Sequence, residues 1–200
     1  MKKLTVRNMV LLAILGAWAI VLRMIEIPLL PSAPFLKMDF SDFAVLIATL
    51  VHGPLGLIVV ACLRDLVWYM VTGGDLGLPI GEFMSITASL AMFLPTYFIL
   101  KGYDRRPENL SRIYMSATLI IALVSVMSVI NYYVALPFYT KIMGLPIENF
   151  GEYIWAIIIP FNLIKGVIYA LGQVLVIRIM KPILEKKQVY FLTKWVHPSK

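Results

Sequence analysis

Six runs of apolar residues divide the chain, each bounded by prolines, glycines or charges: 8–25, 39–52, 55–71, 82–100, 113–135 and 153–177. A helix that crosses a hydrocarbon core about 30 Å thick needs about 20 predominantly apolar residues, and most of these runs have that length. The run 39–52 does not. It is either buried in protein or completed by the chain outside Asp39, and the turn His52–Gly53–Pro54 ends it. The last run is interrupted from within by PFNLIKG at 160–166, which places Asn162 and Lys165 among hydrophobic residues. At about 1.5 Å per residue, Lys165 lies roughly 18 Å into that helix, near the middle of the membrane. A charge there costs from about 3 to more than 10 kcal/mol, depending on the reference scale. The i, i+3 spacing puts the amide and the ammonium on one helix face. They form either a polar clamp between helices or a polar ligand site inside a helix bundle, and the second reading is preferred.

Composition supports an all-α integral membrane protein. The 200 residues are 60% hydrophobic and 14% charged, against about 45–50% and about 25% in soluble domains. The single cysteine, Cys62, rules out a disulfide framework. The net charge of +7 could suggest nucleic acid, but 12 of the 18 basic residues fall in three places. These are the start (Lys2, Lys3, Arg7), the 101–112 loop (Lys101, Arg105, Arg106, Arg112) and the end (Lys181, Lys186, Lys187, Lys194, Lys200). A six-span topology puts all three on one side, which is the positive-inside pattern, with both termini cytoplasmic and no nucleic acid required. The basic start resembles a signal peptide, but its apolar run is long and no clear cleavage site follows, so it is read as a retained helix.

Along the chain, Ala13, Gly16 and Ala17 form a strip of small residues in the first segment, suited to close helix packing within the chain or against a partner. The loop from Glu26 to Lys37 carries Pro28, Pro31 and Pro34 and is expected to be stiff and non-helical. It either covers a pocket or rests on lipid headgroups. In MDFSDF at 38–43, Asp39, Ser41 or Asp42 is placed to cap the second segment. Arg64 and Asp65 lie inside the third; as neighbours about 100° apart they are expected to need separate partners, with Asp39 or Asp42 facing Arg64. The loop TGGDLGLPIG at 72–81 has four glycines that permit close backbone approach, but it lacks the lysine of a phosphate loop. Pro160 is expected to kink the last helix, with Gly166, Ala170 and Gly172 allowing close packing beyond it. The tail from Lys181 is expected to lie on the inner membrane surface.

With only His52 and His197, no metal cluster is credible, and no Walker motif, nucleophile elbow or paired-carboxylate metal motif is present. No inverted repeat is visible. The proline loop, the glycine loop, the 136–150 loop, Asn131 and Asn162 converge towards the outer face, with Lys165 beneath them. This favours a binding subunit over an enzyme.

Four stretches carry a family resemblance over nearly the whole chain: Ala13-x-x-x-Ala17 after the basic start; MDFSDF followed by HGPLG at 52–56; TGG…GEF at 72–83; and NYY with PFNLIKG. Together they resemble the riboflavin-specific S-components of energy-coupling factor (ECF) vitamin transporters. The resemblance implies a six-helix bundle with a pocket open to the extracellular side, covered by the loop after the first helix, in a prokaryotic plasma membrane. It implies riboflavin as the ligand, with flavin mononucleotide as a second candidate, bound by Asn131, Asn162 and Lys165. Leu36 at the end of the proline loop, Asp39 and Phe40 at the start of the second segment, and Glu82 and Phe83 at the start of the fourth complete the candidate set. It further implies that Ala13 and Ala17 dock on a transmembrane coupling subunit served by two ATPase subunits, and that no cofactor or metal is held. An S-component for thiamine, biotin or folate, a structural assembly subunit and a membrane enzyme acting on lipids are the alternatives.

Overall fold

The computed structural model describes residues 6–30, 33, 35–101 and 108–187. Pro31, Pro34, Lys2, Lys3, Arg105, Arg106, Lys194, Lys200 and His197 lie outside the described residues. The elements in order are α1 (Val6–Arg23), β1 (Ile27–Pro28), β2 (Lys37–Met38), α2 (Ser41–Thr72), α3 (Ile80–Lys101) and α4 (Glu108–Ile130). A π-helical turn (Asn131–Ala135) then leads into α5 (Leu136–Lys141); after a loop, α6 (Phe150–Tyr153) and a second π turn (Ile154–Ile158) run into α7 (Ile159–Lys187).

Five helical rods among the described residues are long and apolar enough to cross a membrane, where six separate segments were expected. The difference lies in α2, which joins the second and third expected segments into one element. Its regular geometry breaks at His52 (φ −133°, ψ 15°) and Gly53 (φ 64°, ψ −150°). A positive φ suits glycine, and Pro54 restarts the helix at a position where a missing N–H is harmless. The two arms fold back on each other. Arg64 in the second arm reaches Ser41 and Asp42 at the start of the first, both at 2.8 Å. Gly56 lies so close to the carbonyl of Ala48 that no Cβ would fit between them. The HGP turn is therefore the tip of a hairpin. Within 41–53 every residue except Phe43 and Ile47 is buried, so the short first arm is core rather than a lipid-facing helix.

Helix contacts form a ring: α2 packs on α3, α3 on α4, α4 on α7, and α7 back on α2, while α1 leans chiefly on α2 from outside. Glycines set the close approaches. Gly166 faces Ile120 of α4, and Gly172 faces the ring of Phe43 in α2. Gly16 turns inward onto Leu63 of α2, whereas Ala13 and Ala17 are exposed. The small-residue strip of α1 is thus divided between an inner and an outer face. Buried Leu46, Leu50, Leu57, Val60, Met92, Phe93, Leu119 and Leu123 fill the middle of the ring.

One further expectation is corrected. The 136–150 stretch begins as helix, so Tyr139 and Lys141 stand on α5 rather than in a loop. The chain from Lys181 continues α7 as far as Lys187, and the rest of that tail lies outside the described residues. Pro160 is accommodated by a register change: the π turn at Ile154–Ile158 ends two residues before it, just as the turn at Asn131–Ala135 ends two residues before Pro137. A proline cannot donate to the carbonyl four residues back, and a π turn is one way for a helix to absorb that interruption.

Candidate ligand-binding site

One end of the ring opens into a cavity of about 310 Å³, within the usual range for a small-molecule site. Its wall draws on the end of α1 (Arg23), the loop around β1 and β2 (Glu26, Phe35–Lys37, Asp39) and the far end of α2 (Trp68, Thr72). It also takes in the start of α3 (Glu82, Met84, Ser85, Ala88), the first π turn with its flanks (Met127, Asn131, Tyr139), and α7 (Phe161, Asn162, Lys165). Because α2 is a hairpin, both of its ends meet here. Arg7, Lys101, Arg112 and Lys181 lie near the opposite helix ends.

Six of the eight residues expected to touch ligand line this one cavity: Leu36, Asp39, Glu82, Asn131, Asn162 and Lys165. The other two do not. Phe83 points outward and is 48% exposed, because it follows Glu82 on the helix and so faces about 100° away. Phe40 stacks on Phe43 instead, ring centroids 6.3 Å apart.

Asn131 and Asn162 are matched in placement and bonding. Each is 2% exposed; Asn131 opens the first π turn, and Asn162 lies one helical turn past the end of the second. Each side-chain amide nitrogen donates to the carbonyl four residues back, Asn131 to Met127 at 2.7 Å and Asn162 to Ile158 at 2.9 Å. That bond fixes the side chain while its second N–H and its carbonyl oxygen remain for a ligand. Lys165 lies one turn beyond Asn162 on α7, with Nζ 4.0 Å from Asp42 Oδ2 and 5.6 Å from the centroid of the Tyr169 ring.

Beneath the cavity runs a buried network of charges. Arg64, with no exposed surface, donates to Asp42 at 2.8 Å, to Asp65 at 2.8 Å, and to Ser41, Ser85 and Ser89. Arg23 pairs with the same Asp65 and donates to Ser85 at 2.8 Å. Arg64 and Asp65 each have the separate partner expected, Asp42 and Arg23, but contrary to expectation they also meet each other. Their Cβ atoms diverge, but the long guanidinium stem folds back along the helix to reach its neighbour. Asp42 takes Arg64 as its partner, and Asp39 accepts from the Ser41 N–H at 2.7 Å; the N-cap position of α2 is Phe40, so none of the three expected residues caps the helix with its side chain.

Glu26 and Phe35–Lys37, from the two ends of the proline loop, line this end. The loop is pinned at its base by the β1–β2 pairing and by the ion pair of Lys37 with Glu26 at 2.5 Å. Phe35 packs on Tyr139 of α5 and Tyr153 of α6, ring centroids 4.9 and 6.5 Å away. Tyr139 in turn donates to Asp75 of the glycine loop at 3.2 Å. Sequence reasoning missed Arg23, Trp68 and Tyr139 as wall residues. The one available signal was Arg23, a cation placed before the apolar run ends at Ile25. No group of three or more His, Cys, Asp or Glu side chains is arranged to hold a metal among the described residues.

Comparison with known proteins gives a consistent picture. The family model for the ECF transporter substrate-specific component matches residues 7–177. The chain is 33% identical to the riboflavin transporter RibU of Staphylococcus aureus, over 90% of its own length and 93% of that protein. It is 34% identical to RibU of Streptococcus thermophilus, over 90% and 85%. It is 29% identical to the riboflavin transporter FmnP of Bacillus subtilis, over 92% and 96%. A solved S component of a bacterial ECF transporter is similar in fold, with a TM-score of 0.73 and 31% identity over 89% of this chain and 97% of that one. Five apolar rods, a polar cavity at one end and a family match across most of the length lead to one conclusion: this multi-pass membrane protein belongs to the substrate-specific components of ECF transporters.

Proposed function

We propose that this protein is the riboflavin-capturing subunit of an ECF-type importer, binding the vitamin on the extracellular side for uptake powered by separate subunits. The observation that carries the reading is the gathering of Asn131, Asn162 and Lys165 with Leu36, Asp39 and Glu82 on one cavity. The chain that builds this cavity is similar over about 90% of its length to proteins named riboflavin transporters. A flavin fits such chemistry. Its ring is flat and largely apolar with a hydrogen-bonding edge, and its ribityl chain offers hydroxyls. Phe35, Trp68, Met127 and Phe161 supply apolar wall, while the two amides and the ammonium supply oriented polar groups.

In this reading the two arms of α2 count as separate passes, which makes six crossings with both termini cytoplasmic. The basic residues near the helix ends opposite the cavity support that orientation. The outward face of α1, with Ala13 and Ala17 exposed, is the docking surface for a transmembrane coupling subunit with two ATPase partners, in a bacterial plasma membrane. The role is binding rather than catalysis.

The test is a fluorescence titration of the purified, detergent-solubilised protein with riboflavin. Saturable quenching is expected. Asn131→Ala, Asn162→Ala and Lys165→Ala should each lose about 1–3 kcal/mol of binding, roughly ten- to a hundredfold in Kd, while remaining folded. Folded protein that binds thiamine, biotin or folate and ignores riboflavin would overturn the choice of vitamin.

A further inference from the structure

A second concavity, of about 530 Å³, lies at the end of the bundle opposite the ligand cavity. Helix α1 leans chiefly on α2, and α7 packs on α4 and α2, so a seam between α1 and α7 is left over the first arm of α2. The groove lies in that seam. Its near wall includes Arg7, Ile14 and Leu15 of α1, its floor Ile47 of α2, and its far wall Met180 and Ile183 of α7. Ile47 is one of the two residues of the first arm that are not buried, and this groove is what it faces.

Two features say what the groove accepts. The first is its depth. Arg7 to Leu15 spans about 12 Å along the axis, and Leu15 stands near the middle of α1. That is close to the depth of one leaflet, half of a hydrocarbon core about 30 Å thick. A partner helix would need a seam along the whole of α1, whereas this one stops halfway. The second feature is charge. Among the described residues, every side chain in the lining is apolar except that of Arg7, which stands at the membrane-surface end. Lys181 follows Met180 on α7, and Lys101 and Arg112 lie near the same end of the bundle. A groove that is apolar along its length and cationic at its mouth complements a molecule with an acyl chain and an anionic head. Basic pockets between membrane helices recognise anionic lipid head groups in this way.

We infer that this groove is a site for an anionic phospholipid, with one acyl chain lying over Ile47 between α1 and α7 and the phosphate beside Arg7. Bulk lipid offers the acyl chain an equally apolar setting, so selectivity rests on the head group. Bound there, the lipid bridges two helices that pack little on each other, fastening the basic end of α1 as Gly16 fastens its middle. The groove is separate from the ligand cavity, and the inference does not depend on which vitamin that cavity takes.

The experiment is native mass spectrometry of the full-length protein in mild detergent, titrated with phosphatidylglycerol and, separately, with phosphatidylcholine of identical acyl chains. Wild type is expected to retain one phosphatidylglycerol about fivefold more tightly than phosphatidylcholine. Arg7→Gln should remove most of that preference. Arg112→Gln, which alters a cation at the same end but outside the groove, should leave it as in wild type. Ile14→Trp should displace either lipid by filling the groove; Ile14 is half-exposed, so the larger ring does not disturb the core. Thermal unfolding in lipid-free detergent checks that each variant is folded. Equal affinity for the two lipids would reduce the groove to a seam filled by bulk lipid and overturn the inference. So would a preference that survives Arg7→Gln, or a bound phosphatidylglycerol that survives Ile14→Trp. Failure of wild type to retain either lipid would overturn it as well; if Ile14→Trp then prevented association with the coupling subunit, the groove would belong to a protein partner.

Discussion

Arg64 has no exposed surface and holds two carboxylates at once, so its loss should be felt beyond its own contacts. Removing one partner from a buried ionic network leaves the remainder uncompensated, typically at 3–5 kcal/mol. Arg64→Ala should lie near the lower end, about 3 kcal/mol, because Asp65 keeps Arg23 and Asp42 keeps Ser89 at 2.5 Å with Lys165 nearby. Thermal unfolding in detergent would measure the loss. The double variant Arg64→Met, Asp42→Asn should be more stable than Arg64→Ala, since it removes charge on both sides; equal or lower stability would show that the network does not act through charge. At this scale the sequence is informative where a polar residue has no inexpensive explanation. Asn131, Asn162 and Lys165 stand inside apolar runs, and each leads directly to the cavity. Arg23, Trp68 and Tyr139 stand at helix ends or in what reads as loop, where a cation or an aromatic ring is ordinary and draws no attention. The Arg64–Asp65 contact was misread because helical spacing describes where side chains start, not where a long one finishes.

At the scale of elements, three pieces of covering chain meet above the cavity: the proline loop through Phe35, α5 through Tyr139, and the glycine loop through Asp75. An aromatic pair adds about 0.5–1.5 kcal/mol beyond its area burial. Phe35→Ala, which removes contacts to both Tyr139 and Tyr153, should therefore speed riboflavin release roughly tenfold. Association should change less. Stopped-flow quenching separates the two rates, and an unchanged dissociation rate would mean that the loop does not retain ligand. Helix lengths and most helix ends are readable from apolar runs and from their bounding prolines and glycines. The hairpin in α2 is half-readable: HGP marks a turn, but nothing in the spacing says that the arms fold back in contact. That arrangement depends on Gly56 meeting Ala48 and on Arg64 reaching Asp42, both tertiary facts. The π turns are not readable at all, since a proline signals interruption without stating how the helix absorbs it.

Across the whole molecule, charge and polarity are sorted to opposite ends, with α1 standing outside the ring. Ala13 and Ala17 face outward, while Gly16 on the same helix holds α1 to α2. Docking and ligand capture should then be separable. Ala17→Trp is expected to bind riboflavin with unchanged Kd and to abolish ATP-dependent uptake in proteoliposomes that contain the coupling and ATPase subunits. Normal uptake by that variant would remove the proposed docking face. The membrane class and the family are legible from composition and motifs because both are spread over the entire length. The division of α1 into two faces is not, because it depends on where Leu63 lies.

The two π turns have a consequence for how such a subunit could diverge. Each links a residue that lines the cavity to one that packs in the cover: Asn131 opens the first, with Tyr139 beyond it, and Tyr153 and Asn162 lie on either side of the second. Dropping a single residue from either turn would restore ordinary helical register and rotate one side against the other by about 100°. The amides would stay in step with their own neighbours while the aromatic rings swung away. Changes in chain length, rather than in side chains, thus offer a lineage a way to re-tune how long a captured molecule stays without redrafting what is captured.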